Sequence, residues 1–327
     1  NTGFNGIRSF ANLLILDSTI RNNPATGIEN NGQLTIINST ISQNGDDQLG
    51  WGSGGIYNTS SNTESTVTIL GSTITNNKGD TFGGVGNTGL IPIEIQNTII
   101  AGNVALYGKP YAQDCAGNFV SNGFNLVGNI GNAYAATCNA NWSNMDQVGY
   151  YFYNPQGQFL EDRSINPMLD AIQDAGSGVL VHPLKPGSPA IDAGHNATCT
   201  SVDQRGVPRP QNGDNIDGAT CDVGSYEVPD TTSPIIVSSA RSNENPTSTS
   251  SVDFTITFSE YVSNVDINDF ALTVSGGING ASITAVAGSG STRTVTVNTG
   301  SGTGTLRLDV PVTATIADLA GNLLEGL

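Results

Sequence analysis

The sequence predicts an all-β protein in two parts: a right-handed parallel β-helix over residues 1–228 and an antiparallel β-sandwich over residues 229–327. Three observations support this prediction. A phrase of eleven residues recurs four times before residue 104, and its apolar positions lie two residues apart rather than three or four. The last hundred or so residues form short runs in which apolar and polar side chains alternate, which is typical of a sandwich.

The phrase reads apolar-x-Ile-x-[Asp/Asn/Gly]-[Ser/Thr]-x-Ile-x-x-Asn, and its copies begin at Leu13, Leu34, Val67 and Ile93. Each copy predicts two short strands separated by a polar corner. One such coil cannot bury its own apolar side, so the repeat predicts a stack of coils. A leucine-rich solenoid is disfavoured because its Leu-x-x-Leu-x-Leu pattern is missing, and the many Thr, Ile, Asn and Gly residues disfavour helix.

Coils stacked about 4.8 Å apart place like residues over like residues. We therefore expect two inward columns of isoleucine, one made of Ile15, Ile36, Ile69 and Ile95, the other of Ile20, Ile41, Ile74 and Ile100. The asparagine that closes each phrase predicts a ladder of side-chain amides at a corner, formed by Asn23, Asn44, Asn77 and Asn103.

The charge of the chain limits its partners. A net charge of −17 argues against nucleic acid and against anionic membrane surfaces, and no apolar run approaches the ~20 residues that cross a bilayer. Residue 1 is not Met, and no basic stretch followed by an apolar one begins the chain. We expect a processed product or a fragment of a secreted protein.

The four cysteines allow three pairings. We favour the local pairs Cys115 with Cys138 and Cys199 with Cys221, because each closes a loop of about twenty residues in a polar, Gly- and Asn-rich stretch. Disulfides place a protein in an oxidising compartment, and without a Cys-x-x-Cys motif a zinc site is not expected.

Three motifs after the coils carry a resemblance to a known family. Gly187-Ser-Pro-Ala-Ile-Asp-Ala-Gly194, Asp203-Gln-Arg-Gly206 and Cys221-Asp-Val-Gly-Ser-Tyr-Glu227 resemble the C-terminal end of bacterial secreted β-helix proteins related to the polymorphic outer-membrane and choice-of-anchor surface proteins. The resemblance covers roughly residues 1–228. It implies a disulfide-tied structural cap in which Asp203, Arg205 and Glu227 are buried polar ties, and it implies no catalysis.

The second part resembles bacterial Ig-like domains. The stretches that carry the match are Phe254-Thr-Ile-Thr-Phe-Ser-Glu260, Asp269-Phe270, residues 300–308 and Asp318-Leu-Ala-Gly-Asn322. The resemblance implies a stalk or linker module. The Cys–Trp–Cys core of antibody domains is absent, since neither Cys nor Trp follows residue 221.

Calcium is the one cofactor that the sequence suggests. Asp214, Asn215 and Asp217 lie in a shortened acidic loop that lacks the regular alternation and the distal Glu of calcium loops. A second hypothesis brings Asp230, at the start of the second part, together with Glu260 and Asp318 around an ion.

Catalysis is disfavoured because acids in the coils are sparse and do not stack. Asp17, for example, aligns with Asn38, Gly71 and Asn97, whereas hydrolases need paired carboxylates. We expect a non-catalytic extracellular structural or adhesive surface protein. The alternative is a β-helix enzyme or binding protein for polysaccharides, with glycan contacts at Trp51 and Tyr107 on loops that leave the coils.

Two further expectations concern the ends of the coil stack. The first coil has no polar segment or helix to cover it, so we expect either a missing N-terminal part or another subunit to cover it; the second alternative predicts head-to-tail self-association into a fibre or surface layer. The aromatic cluster of Tyr150 to Tyr153 with Phe159 and Trp142 either covers the other end or binds sugar rings.

Overall fold

A computed structural model describes residues 5–45, 54–63, 65–106, 113–132, 135–136, 138–154, 156, 158–214 and 218–326. It confirms the all-β class: the described elements are strands apart from one 3-10 turn at Ile267–Asp269. The chain forms two compact units, Asn1–Asp214 with Thr220–Val228, and Asn215–Ala219 with Pro229–Leu327. We refer to them as the solenoid unit and the antiparallel unit.

The strands of the solenoid unit are short, because each corner of a coil ends one. In chain order they are β1 (Ile7–Ser9), β2 (Leu13–Leu16), β3 (Thr19–Arg21), β4 (Ile28–Asn30), β5 (Leu34–Ile37), β6 (Thr40–Ser42), β7 (Ile56–Asn58), β8 (Val67–Leu70), β9 (Thr73–Thr75), β10 (Lys78–Gly79), β11 (Val85–Asn87), β12 (Ile93–Gln96), β13 (Ile99–Ala101), β14 (Val104–Ala105), β15 (Cys115–Ser121), β16 (Leu126–Val127), β17 (Gly131–Asn132), β18 (Ala135–Ala136), β19 (Cys138–Asn139), β20 (Gln147–Val148), β21 (Tyr150–Tyr153), β22 (Phe159–Arg163), β23 (Gln173–Asp174) and β24 (Leu180–Val181).

Parallel sheets form the sides of the coil stack. One side runs β1-β4-β7-β11-β15, a second runs β2-β5-β8-β12-β15, and a third runs β3-β6-β9-β13-β16-β20. The seven-residue β15 is long enough to pair with β11 through one part and with β12 through another. The two halves of each repeated phrase therefore occupy the second and third sides.

The register of these sheets confirms both predicted isoleucine columns. Ile15, Ile36, Ile69 and Ile95 are paired in turn, as are Ile20, Ile41, Ile74 and Ile100. All are buried except Ile20 in the first coil, which is half-buried. A third column, which the sequence reasoning did not propose, consists of Ile7, Ile28, Ile56, Val85 and Cys115. Each fully buried aliphatic side chain stabilises the fold by roughly 1.5–3 kcal/mol.

The polar corner in the middle of the phrase has a backbone cause. Asp17, Asn38, Gly71 and Asn97 have φ values of 45°, 53°, 51° and 48°. This left-handed region is accessible to Gly and, among other residues, best tolerated by Asn and Asp. The corner therefore dictates the residue type at this position.

Residues 180–214 and 220–228, which we call the side segment, lie against the third side of the stack. Thr19 Oγ1 donates to the Leu180 carbonyl at 2.6 Å, Thr40 Oγ1 donates to Gln204 Oε1 at 2.6 Å, and the Ser225 amide donates to Thr73 Oγ1 at 3.0 Å. These contacts reach three successive coils. The sequence predicted an end cap here, and the observed contacts correct that prediction, because the segment braces the coils along their length.

The aromatic residues Tyr150 to Tyr153 form β21, and Phe159 begins β22. Both strands belong to a small sheet of order β18-β17-β21-β22. Trp142 and Tyr150 pack against the solenoid core, whereas the Phe159 side chain is 54% exposed. The part of the cluster nearest the coils is therefore a packing element. Within the described residues, no helix is long and apolar enough to cross a membrane.

The antiparallel unit has its own core, built around Val252, Ile256, Phe258, Val295 and Val297. Its sheets have the orders β25-β26-β30-β29, β28-β31 and β27-β32, and all their pairs are antiparallel. The strands are β25 (Ile236–Arg241), β26 (Ser251–Phe258), β27 (Val262–Ser263), β28 (Ala271–Gly276), β29 (Ser282–Ala287), β30 (Thr292–Asn298), β31 (Gly304–Asp309) and β32 (Ala317–Asp318).

Candidate metal centre

Three carboxylates of the antiparallel unit meet at one place. Asp230 begins the unit, Glu260 follows β26 by two residues, and Asp318 ends β32. One carboxylate oxygen from each residue lies within 4.8 Å of the other two. The structure thus brings together the three residues of one of the two calcium hypotheses.

Asp318 is fixed by a tight turn that its own side chain closes. Its Oδ1 accepts hydrogen bonds from the amides of Gly321 at 2.6 Å and Asn322 at 2.9 Å, and its Oδ2 accepts from Asn322 Nδ2 at 2.7 Å. Gly321 has a φ of 95°, a conformation that L side chains rarely adopt. The motif Asp318-Leu-Ala-Gly-Asn322 is therefore a device that holds one carboxylate in place.

Asn322 also ties Asp230 to this turn. Its Nδ2 donates to the Asp230 main-chain carbonyl at 3.1 Å, and Asp230 Oδ1 accepts from the Thr232 amide at 2.9 Å. Asp230 and Asp318 are both buried, and Glu260 is half-buried. The site is thus built from a well-anchored pair and a less buried third acid.

Neither Glu260 nor Asp318 forms an ion pair with a basic side chain of the described residues. Burial, followed by the charges of Asp230 and Asp318, raises the pKa of Glu260 to about 7. Burial likewise raises the pKa of Asp230, which shares a side-chain hydrogen bond with Glu260. The hydrogen bond between the two side chains raises the pKa of Glu260 and acts to lower that of Asp230, so a proton shared by the pair is favoured on Glu260.

The ligand set suits a hard divalent cation. All three groups are carboxylates, and oxygen is the donor that Ca²⁺ and Mg²⁺ prefer. A divalent cation would take the place of the Glu260 proton and offset the repulsion among three acids. Asp230, Glu260 and Asp318 are therefore the residues that would hold such an ion.

The second calcium hypothesis is only partly visible. Asn215 and Asp217 lie outside the described residues. The Asp214 amide donates to Asp192 Oδ2 at 2.8 Å, which acts to lower the pKa of Asp192. Burial, together with the side-chain hydrogen bond and charge of Asp214, outweighs this and raises the pKa of Asp192 to about 6. Sequence reasoning missed Asp192 because it lies 22 residues before its partner.

The predicted asparagines form a ladder with one direction. Asn23 Nδ2 donates to Asn44 Oδ1 at 2.8 Å, Asn44 Nδ2 to Asn77 Oδ1 at 2.9 Å, and Asn77 Nδ2 to Asn103 Oδ1 at 2.9 Å. The ladder ends on Asp114 Oδ1, which accepts from Asn103 Nδ2 at 2.9 Å. Burial raises the pKa of Asp114 to about 7, against the opposing effect of its hydrogen bonds.

A second amide ladder was missed. Asn30 Nδ2 donates to Asn58 Oδ1, and Asn58 Nδ2 donates to Asn87 Oδ1, both at 2.9 Å. Its sequence signal is a Gly-[Ile/Val]-x-Asn motif that ends at each of these residues.

The cysteines differ between the two predicted pairs. Cys115 and Cys138 form a disulfide, as predicted. Cys199 and Cys221 are free thiols in the structure, so the second predicted disulfide is not formed. Their side chains are in hydrogen-bond contact, which together with the charge of Arg209 lowers the pKa of Cys199 to about 7 against the effect of burial.

The three polar ties implied by the resemblance lie together in the side segment. Arg205 forms a buried ion pair with Asp203 at 2.6 Å, and the Glu227 amide donates to Asp203 Oδ2 at 3.0 Å. Glu227 in turn pairs with Arg209 at 3.2 Å, a residue that the sequence reasoning did not single out. Each acid is thus engaged by main-chain donors and a guanidinium, which is a structural arrangement.

Two predicted residues cannot be placed. Trp51 and Tyr107, the proposed glycan contacts, lie outside the described residues.

No protein-family model, curated protein or solved structure matches this chain.

Proposed function

We propose that this chain is a non-catalytic extracellular structural or adhesive surface protein: a right-handed β-helix followed by an Ig-like sandwich that binds Ca²⁺. The observation that supports this proposal is that buried side-chain amides of successive coils hydrogen-bond to one another. Asn30, Asn44, Asn58 and Asn77 are buried and bonded to equivalent residues of neighbouring coils. Such columns stabilise an elongated scaffold, and the Cys115–Cys138 disulfide fits an oxidising compartment.

The absence of catalysis is tested with polysaccharide substrates. The full chain is incubated with acidic and neutral polysaccharides, with and without Ca²⁺, and released reducing ends and unsaturated products are measured. We expect no turnover above that of heat-denatured protein. Sustained product formation would favour the β-helix enzyme alternative.

Calcium binding is tested by isothermal titration at pH 6 and pH 8. We expect tighter binding at pH 8, because the ion competes with the Glu260 proton, whose pKa is about 7. Glu260→Gln should weaken binding at least tenfold, whereas Glu244→Gln, an exposed acid of the same unit, should leave it unchanged. Equal affinity in both variants would refute the site.

We propose self-association through the first described coil, which has a neighbouring coil on one side only among the described residues. Among the described residues β1, β2 and β3 are the last strands of their sheets, and Ile7, Leu13 and Ile20 are only half-buried. The Leu13 amide donates to the Gln33 carbonyl of the second coil, so the Leu14 amide, one residue on, faces the free edge.

A proline at the edge tests this. We expect Leu14→Pro to abolish association in sedimentation velocity by removing the free donor, while Leu14→Ala, which keeps it, continues to associate. Wild-type protein that stays monomeric at high concentration would refute self-association.

A further inference from the structure

We infer that a pocket of the antiparallel unit binds a sugar acid, such as a uronate, by its carboxylate and hydroxyl groups. The pocket has a volume of about 490 Å³ and lies among residues 245–249, residues 299–306 and Ile278. None of the three acids of the candidate metal centre lines the pocket, and sugar binding there does not depend on the proposed structural role of the coils.

The pocket combines an apolar floor with a hydroxyl-rich rim. Val252, Phe254, Ile278 and Leu306 contribute apolar surface. The rim carries the hydroxyl groups of Thr247, Ser248, Thr249, Thr299, Thr303 and Thr305. A pyranose ring has the same division, with C–H faces and a belt of hydroxyl groups, and the volume falls within the usual range for small-molecule sites.

Local hydrogen bonds orient the hydroxyl groups. Thr299 Oγ1 donates its hydrogen to the Thr249 carbonyl at 2.8 Å, and Thr249 Oγ1 donates to the Ser251 carbonyl at 2.8 Å. Because these hydrogens are already committed, the Thr299 oxygen remains as an acceptor for ligand hydroxyl groups, and the Thr249 oxygen, which also accepts from Thr247 Oγ1 at 3.0 Å, keeps one further lone pair. The rim is thus prepared to receive donors from a sugar.

Arg241 supplies the complementary charge. Its Nε donates to the Asn243 carbonyl at 2.9 Å, and it forms no ion pair with any described acid, although the chain has 28 acidic and 11 basic residues. The nearby Asp253 carboxylate accepts from Thr296 Oγ1 at 2.7 Å. The bond from Nε fixes the guanidinium and leaves its two terminal nitrogens for a bidentate carboxylate.

The composition of the pocket selects the ligand class. Arg241 is the one basic side chain of the lining, which matches a single carboxylate better than a nucleotide with several phosphate charges. A neutral sugar would leave this cation unmatched. At physiological ionic strength, charges beyond a Debye length of about 8 Å are screened, so the net charge of −17 does not prevent the local pairing.

The experiment uses the full chain and ligand-observed saturation-transfer NMR in buffer with EDTA, which prevents a cation bridge at the metal centre. The probes are D-glucuronate and trigalacturonate, with D-glucose, acetate and N-acetylglycine as comparison ligands. We expect at least tenfold tighter binding of the two uronates than of the other three. N-acetylglycine binding as tightly as a uronate would identify a peptide carboxylate site and overturn the proposal.

Variants locate the binding. Arg241→Gln should weaken uronate binding at least tenfold, to the level of D-glucose, without changing the circular dichroism spectrum. Arg307→Gln is the matched control, because Arg307 is an exposed arginine of the same unit that pairs with Asp309. Thr299→Val, which removes an acceptor, should weaken both uronates and glucose. Failure of both uronates to bind, or equal binding by wild type and Arg241→Gln, would overturn the proposal.

Discussion

The two units treat their buried polar groups in opposite ways. In the solenoid unit, amides line up so that each donates to the equivalent residue of the next coil, and no outside partner is needed. In the antiparallel unit, Asp230, Glu260 and Asp318 converge, and their like charges call for a proton or a cation. In the repeated coils, equivalent side chains thus supply one another's hydrogen-bond partners. Outside the repeat, carboxylates that converge need a proton or a bound cation to offset their repulsion.

The largest expected effect is at Asp114, where the self-sufficient ladder ends on a titratable group. Its folded pKa of about 7 lies above an unfolded value of about 3.9, so the folded state retains the proton longer. Its contribution to stability is complete below about pH 4 and is lost as the pH rises through 7. The free energy of unfolding should fall by about 4 kcal/mol from this group between pH 4 and pH 8.

Asp114→Asn should remove most of this pH dependence, since Asn cannot ionise. Urea unfolding of the solenoid unit at several pH values measures it. Glu94→Gln, an exposed acid on β12, is the control and should retain the wild-type slope. An unchanged slope in Asp114→Asn would show that Asp114 is ionised throughout.

The next effect compares the middle of the ladder with its start. Asn77→Ala removes the oxygen that accepts from the main-chain and side-chain amides of Asn44 and one donor to the Ile41 carbonyl, all of them buried, so we expect a loss of about 3 kcal/mol or more. Asn23→Ala, at the half-exposed first coil, should cost about 1 kcal/mol, because Asn23 Oδ1 accepts no hydrogen bond from the described residues. Denaturant midpoints of the two variants measure these losses of unfolding free energy. Equal losses in Asn77→Ala and Asn23→Ala would contradict a cooperative ladder.

The side segment offers a test through its thiols. Cys199 and Cys221 are already in contact, so oxidised glutathione should join them by thiol–disulfide exchange, with release of two reduced glutathione molecules. We expect closure of this loop to raise the stability of the solenoid unit by roughly 3 kcal/mol. Peptide mapping by mass spectrometry detects the bond. Cys199→Ser should show no gain, and a gain in that variant would assign the effect elsewhere.

The smallest expected effect is the stabilisation of one unit, but not the other, by Ca²⁺. Ca²⁺ at a hundred times its dissociation constant should stabilise the antiparallel unit by about 2.7 kcal/mol and leave the solenoid unit unchanged. Calorimetry with Ca²⁺ and with EDTA measures both transitions. Glu260→Gln should lose the shift. A shift confined to the solenoid unit would place the ion in the coils and contradict the proposed site.

The stacking of the coils could be predicted because the apolar residues have a fixed spacing within each short phrase. Ile15, Ile36, Ile69 and Ile95 recur in the same position of the same phrase, so their stacking could be predicted from the sequence. Asp114 could not, because the ladder reaches it after a chain segment that departs from the phrase. The position of the side segment was misjudged for a related reason: Thr19, Thr40 and Thr73 resemble ordinary exposed strand residues until the partner that covers them is known.

The candidate metal centre could be predicted from the sequence only in part. The sequence analysis proposed that Asp230, at the start of the second part, meets Glu260 and Asp318, but it also proposed Asp214 and overlooked Asp192. Arg241 and the hydroxyl groups around it gave no sequence signal, since they come from loops far apart in the chain.

By itself, the sequence determined the all-β class, the stacked coils and the residues of their inner columns, because a fixed period of short strands has few ways to bury its apolar side. The tertiary structure decided which carboxylates converge, where the side segment lies, and which charged side chains, Arg241 among them, form no ion pair with a described residue. These depend on distances between residues that no period relates. Charge and hydrogen bonding act over a few ångström in space, whatever the separation along the chain.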